Sequence, residues 1–271
     1  MPIGDSDYLI AQRTLKKFIY NFFGTLDLHS HIRLRPLIRF FKEFFNKKNI
    51  KKEPIKILEL GCGNGINAFE IYKIAKKRNV KLDYTGVDFS VEAINNADKI
   101  AHFLNNEKTK FSFLKQDAID FLEKNQQSQY DFILLIDIIE HIPDPQKLIH
   151  LIRFCLTKDS IVLVSVPTPL YPKIFGEKFH KKIGHLVNGY SEESLNELFY
   201  HEGYEIINIQ YNTGLFSNIG CWLYYKILKF DNKYFHFFKY LVLLPFIFLD
   251  FFNNSTVSCS LFAGYKINEK K

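Results

Sequence analysis

Residues 56–71, KILELGCGNGINAFEI, pass from an apolar run through three closely spaced glycines into a helical pattern. The segment IKILEL reads as a buried strand, and NAFEIYKIAKKR, with apolar residues three and four apart, as an amphipathic helix. A strand, a tight glycine turn and a helix open a βαβ unit. The turn also has chemistry. A dinucleotide fingerprint needs G-x-G-x-x-G. Here the glycines are Gly61, Gly63 and Gly65, and Ile66 stands where the third glycine of that fingerprint belongs. No G-K-[ST] follows, so the Walker phosphate loop is absent too. Glu59 would repel a pyrophosphate, but it suits a ligand that carries positive charge.

The same alternation continues outward from this turn. KLDYTGVD is a strand, SVEAINNADKIAHFL a helix with Ser90 as its N-cap, FSFLKQD a strand and AIDFLEK a short helix. YDFILLID is a strongly buried strand, DPQKLIHLIRFCL a helix and SIVLVSVP a strand. Such alternation predicts a parallel sheet covered by helices on both faces, with ligands at the carboxyl ends of the strands. After Pro167 the pattern loosens. Residues 168–190 read as a long loop, a common location for functional groups. SEESLNELFYHEGY is a helix, and EIINIQY and TVSCSLFAGYKI are strands that complete the sheet. Four regions are expected: a helical N-terminal appendage over 1–53, a core over 54–211, an aromatic helical insertion over 212–254, and the last strand with its tail over 255–271.

Composition narrows the function classes. Lysine and arginine number 36 against 29 acids, a net charge of +7, but the surplus is scattered and forms no basic stripe with interleaved aromatics. Nucleic-acid binding is not expected. Cys62, Cys155, Cys221 and Cys259 form no CxxC pair, so neither a zinc cluster nor a disulfide framework is indicated and a cytoplasmic setting fits. The N-terminus shows no secretory pattern. Residues 234–252, YFHFFKYLVLLPFIFLDFF, are nearly all apolar, yet His236, Lys239, Pro245 and Asp250 interrupt them. The uninterrupted apolar core is about half the roughly 20 residues of a spanning helix. A pocket lid, core packing or a peripheral membrane contact remain as readings.

In that setting ILELGCGNG resembles the first motif of class I S-adenosylmethionine-dependent methyltransferases, and the resemblance runs in order over residues 55 to about 210. It implies a Rossmann-like α/β fold with a seven-stranded, mostly parallel sheet, and S-adenosylmethionine as cofactor. TGVDFS resembles the second motif. There Asp88 would accept both ribose hydroxyls, as an acceptor-only carboxylate can, with Phe89 beside it. FLKQDAID resembles the segment against adenine, which makes Asp117 and Ala118 candidates for the base edge. YDFILLIDIIEHIPDP is similar to the fourth strand and turn of the branch containing the ubiquinone-biosynthesis O-methyltransferases and many natural-product and sugar methyltransferases. Glu59, Gly61, Gly63, Gly65 and Asp137 are its other implied cofactor contacts. In the ubiquinone-pathway enzymes the matching residues are associated with a divalent metal. That association implies Asp137, Glu140 and His141 as ligands, with an aspartate at the first position where the motif has a glutamate.

The expected reaction is methyl transfer, to a hydroxyl of a small or lipid-like acceptor. The sulfonium makes transfer favourable, so the protein must align the partners and take up a proton. His141 is the first candidate base and His185 the second, as imidazoles titrate near neutrality; Tyr190 would help to close the pocket. A nitrogen or carbon acceptor, or a cofactor-binding subunit without catalysis, remain open alternatives.

Overall fold

The computed structural model describes residues 28–47, 53–226, 242, 245–246, 249–250 and 256–268. Residues 1–27 of the expected N-terminal appendage lie outside them, as does most of the 234–252 segment. Helix α1 (Leu28–Phe44) precedes an alternating series: β1 (Ile55–Leu60), α2 (Ile66–Arg78), β2 (Leu82–Asp88), α3 (Val91–Leu104), β3 (Thr109–Lys115), α4 (Ala118–Lys124), β4 (Tyr130–Ile136), α5 (Pro145–Ile152) and β5 (Leu156–Pro167). There follow α6 (Tyr171–Phe175), α7 (Glu177–Lys182), α8 (Glu192–Tyr200), β6 (Tyr204–Tyr211), α9 (Leu215–Lys226) and β7 (Ser260–Ile267). The seven strands form one sheet in the order β3-β2-β1-β4-β5-β7-β6, in which only the pairings of β7 are antiparallel. The strand order reverses between β1 and β4, and in such sheets the crevice outside the carboxyl ends at this point receives the ligand.

Strand periodicity divides the core into two layers. Ile57, Tyr84, Phe111 and Phe132 face α1, α2 and α3, while Leu58, Leu60, Ile133 and Leu135 face α4, α5 and α8. Apolar residues on both faces of β1 and β4 are what a doubly covered parallel sheet requires. Helix α1 packs onto this sheet through Leu34, Leu37, Phe41 and Phe45, and the Phe44 ring meets Phe132 edge-on at 4.8 Å. It does so although Pro36 inside the helix removes one backbone donor. The buried aromatic face outweighs that local cost.

The 168–190 stretch, expected to be a loop, holds two short helices. Pro172 sits in the first turn of α6 and Gly176, at φ 94°, ends it. Tyr171 and Phe175, one turn apart, pack at 4.7 Å in a cluster with Ile32 of α1. The tertiary contact supplies what a five-residue helix lacks by itself. Farther along, Asp250 caps α9, accepting from the Gly214 N–H at 2.9 Å, Phe216 at 2.9 Å and Ser217 at 3.1 Å. Among the described residues no helix is long and apolar enough to cross a membrane.

Candidate active site

The turn after β1 is built from its glycines. Gly61 has φ 73°, and a Cβ there would stand 2.8 Å from the Ile138 side chain, so only glycine fits. Gly63, at φ 53°, has open space where its Cβ would be, and its N–H donates to Asp88 Oδ2 at 2.8 Å. Gly65 caps α2 without any side-chain hydrogen bond, so the N–H groups of the first turn are available to a ligand. Asp88 also receives the Ser90 N–H on Oδ1 at 2.8 Å. It thus ties the glycine loop to the end of β2, and each oxygen retains a further lone pair. Phe89 beside it is 79% exposed on the rim. Asp117 caps α4, and both its bonds, from Ile119 N–H at 2.8 Å and Asp120 N–H at 3.2 Å, go to Oδ1. Ala118 is buried directly after it.

Glu59 turns inward. It is wholly buried and accepts from the Asn67 amide and the Tyr84 hydroxyl, tying together β1, the first turn of α2 and β2. Burial pushes its carboxyl up to about 7, against the opposing pull of these two donors.

The other half of the rim follows β4. Asp137 is held at φ 49°, in the left-handed region that non-glycine residues rarely occupy. Its carboxylate pairs with Arg33 of α1 and accepts from the Ser165 hydroxyl at 3.1 Å. Sequence reasoning did not single out Arg33. The signal was present, since residues 33, 37 and 41 share one helical face and the other two are Leu37 and Phe41. A charge on an apolar stripe needs a partner.

Glu140, in the short turn Ile139–His141, is 1% exposed, and neither carboxylate oxygen has a hydrogen bond. Burial first, and the nearby Asp137 charge second, hold its carboxyl well above the usual range. The 168–190 segment docks on this turn: Leu186 N–H donates to the Glu140 carbonyl at 2.8 Å, and His141 Nδ1 lies 3.0 Å from the Gly184 carbonyl. The result places His185 Nε2 3.9 Å from Glu140 Oε1, with the two imidazoles edge to face at 4.8 Å. Ligand atoms of Glu140, His141 and His185 all lie within 4.8 Å of one another. Asp137, by contrast, is engaged with α1 and β5. Tyr190, buried nearby, has its hydroxyl pushed up to about 12 by burial and by the Glu140 charge.

The sequence and the fold that carry this site are similar to those of known proteins. Residues 29–209 match the family described as methyltransferase domain. The chain belongs to that family. The ubiquinone biosynthesis O-methyltransferase of Pasteurella multocida is 28% identical over 115 residues, which cover 41% of this chain and 45% of that protein. The chain therefore spans about half the length of this curated relative. Among solved structures, a SAM dependent methyltransferase from Archaeoglobus fulgidus superposes with a TM-score of 0.55 at 17% identity, covering 94% of this chain and all of the other. The plantazolicin methyltransferase BpumL, solved in complex with SAH, gives 0.55 at 19% identity over 98% and 95% of the two chains. These two likenesses establish the class I methyltransferase fold.

Proposed function

We propose that this chain is an S-adenosylmethionine-dependent methyltransferase that methylates a hydroxyl of a small or lipid-like acceptor. The observation that carries this reading is the single rim shared by Gly61–Gly65, Asp88 and Asp117 on one side and Glu140, His141 and His185 on the other. The first group suits a zwitterionic nucleoside. The open space above Gly63 admits it, the uncapped start of α2 suits its carboxylate, Asp88 has lone pairs for the ribose, and Asp117 Oδ2, unused in capping α4, is left to accept from the adenine amino group.

The second group suits proton removal. With Nδ1–H donated to the Gly184 carbonyl, His141 keeps one lone pair, on Nε2, which serves as a base toward the acceptor when no cation is bound and as a ligand when one is, the cation then acidifying the hydroxyl. Tyr171, whose ring lies 5.6 Å from that of His185, and the buried Tyr190 help to exclude water. An apolar cavity of about 330 Å³ beside α6 and α9, lined by Leu170, Ile174, Leu215, Ile219, Trp222 and Val257, supports an acceptor with a hydrophobic part.

The resemblance also implies a divalent metal on Asp137, Glu140 and His141. The residues fit a cation at Glu140, whose buried carboxylate has two oxygens without hydrogen bonds. A bound dication would lower the pKa of an acceptor hydroxyl. Calorimetry with S-adenosylmethionine tests the cofactor assignment. Asp88→Ala should weaken binding at least ~100-fold, since hydrogen bonds to a charged group contribute about 1.5–3 kcal/mol each; unchanged affinity would overturn the ribose role.

A further inference from the structure

The metal set implied by the family motif does not match what the chain brings together. Its first acid, Asp137, is neutralised by Arg33 and hydrogen-bonded by Ser165, while His185 arrives from the 168–190 segment to lie against Glu140. We propose that Glu140, His141 and His185 form a one-carboxylate, two-imidazole site for a first-row transition dication such as Zn²⁺ or Co²⁺, with His185 in place of the motif's first acid. This deepens the methyltransferase reading by naming the ion of the same rim, and it rests on that reading only for its catalytic consequence.

Three observations carry it. The Glu140 carboxylate is buried, aimed at the two imidazoles and without a hydrogen bond on either oxygen, an arrangement that a cation would satisfy. His141 Nδ1 is oriented by the Gly184 carbonyl, the outer-shell contact that fixes a tautomer with Nε2 free to ligate. Finally, the backbone holds the pieces in place: Leu186 N–H bonds the Glu140 carbonyl, so the turn that supplies two ligands and the loop that supplies the third are joined by the main chain itself.

The distances require a modest closure. Ligand atoms bound to one ion at 2.0–2.2 Å stand about 3.3 Å apart, so a group now spread over up to 4.8 Å contracts by side-chain rotation. Ligand type then sets the preference. Imidazole nitrogens favour zinc, cobalt, iron and nickel, whereas magnesium keeps to oxygen ligands and water. A set with two carboxylates would reverse that bias toward magnesium.

The test uses the untagged full chain, stripped with a chelator that is then dialysed away. Titration with Co²⁺ should give a ligand-field absorption that saturates at one equivalent, and calorimetry should find Zn²⁺ at least ~100-fold tighter than Mg²⁺. His185→Ala should weaken Zn²⁺ at least ~10-fold, the loss that even outer-shell changes produce, while Asp137→Asn leaves it close to wild type. Should His185→Ala fail to fold by circular dichroism, the wild-type Co²⁺ form should still show two hyperfine-shifted imidazole N–H resonances. Absent Co²⁺ absorption, equal affinity for Mg²⁺, one or no such resonance, or wild-type Zn²⁺ binding by folded His185→Ala would each overturn the assignment. S-adenosylmethionine binding is measured in parallel on the wild type. Its absence would defeat the cofactor reading and leave the metal result standing.

Discussion

The end of β1 and the turn after β4 each contain a buried glutamate, and the two are treated in opposite ways. Glu59 is surrounded by donors from two other elements, Asn67 and Tyr84, and holds them together. Glu140, also buried, receives no hydrogen bond at either oxygen and faces two histidines. A buried carboxylate with its partners is a joint in the scaffold. One left without them is retained against its own desolvation cost, which argues for a role that the folded chain alone does not complete.

The strongest way to break this contrast is Glu140→Gln. Removing a buried carboxylate that receives no hydrogen bond should leave the urea midpoint unchanged or raised. Turnover of the methylation substrate should fall by about a thousand-fold, within the range for loss of a base or its support and equivalent to about 4 kcal/mol of barrier. A variant that keeps its activity, or that unfolds readily, would place Glu140 in the scaffold with Glu59.

Glu59 should show its character in the pH dependence of stability. Its carboxyl is pushed up to about 7, so the folded chain retains a proton that the unfolded chain has released. Stability from this group is therefore full below the ordinary carboxylate range and is lost as pH rises through about 7, by about 3 kcal/mol in all. Urea unfolding at pH 5 and pH 8 should show the wild type losing most of that amount beyond what Glu59→Gln loses. Parallel pH profiles for the two proteins would remove the basis for this assignment.

The two turns also differ in how far the sequence discloses them. The strand IKILEL, the glycines and the acids ending β2 and β3's segment are local: their spacing and periodicity specify both conformation and neighbours, and Ser90 takes the N-cap position expected of it. The region around Glu140 depends on distant pairings. Nothing near Asp137 announces Arg33, although the charge on α1's apolar face was a clue. His185 was legible as a second candidate base but not as a neighbour of Glu140, because its position depends on Gly184 and Leu186 bonding to the β4 turn. Helix α6, inside the stretch read as a loop, depends on a related distant contact, since Tyr171 and Phe175 gain a packing surface from Ile32.

The smallest expected effect sharpens the scaffold-versus-ligand distinction inside one side chain. Asp117 uses Oδ1 for both capping bonds to α4, which leaves Oδ2 for the adenine amino group in the proposed complex. Asparagine caps a helix about as well as aspartate, so Asp117→Asn should shift stability by a few tenths of a kcal/mol at most. Its amide nitrogen, however, would then present a donor to a donor. Affinity for S-adenosylmethionine should drop about 10-fold, the size of one hydrogen bond. Calorimetry and urea unfolding on the same sample separate the two roles. Equal losses in both would mean that Asp117 acts through the helix, whereas a binding loss at constant stability assigns Oδ2 to the base.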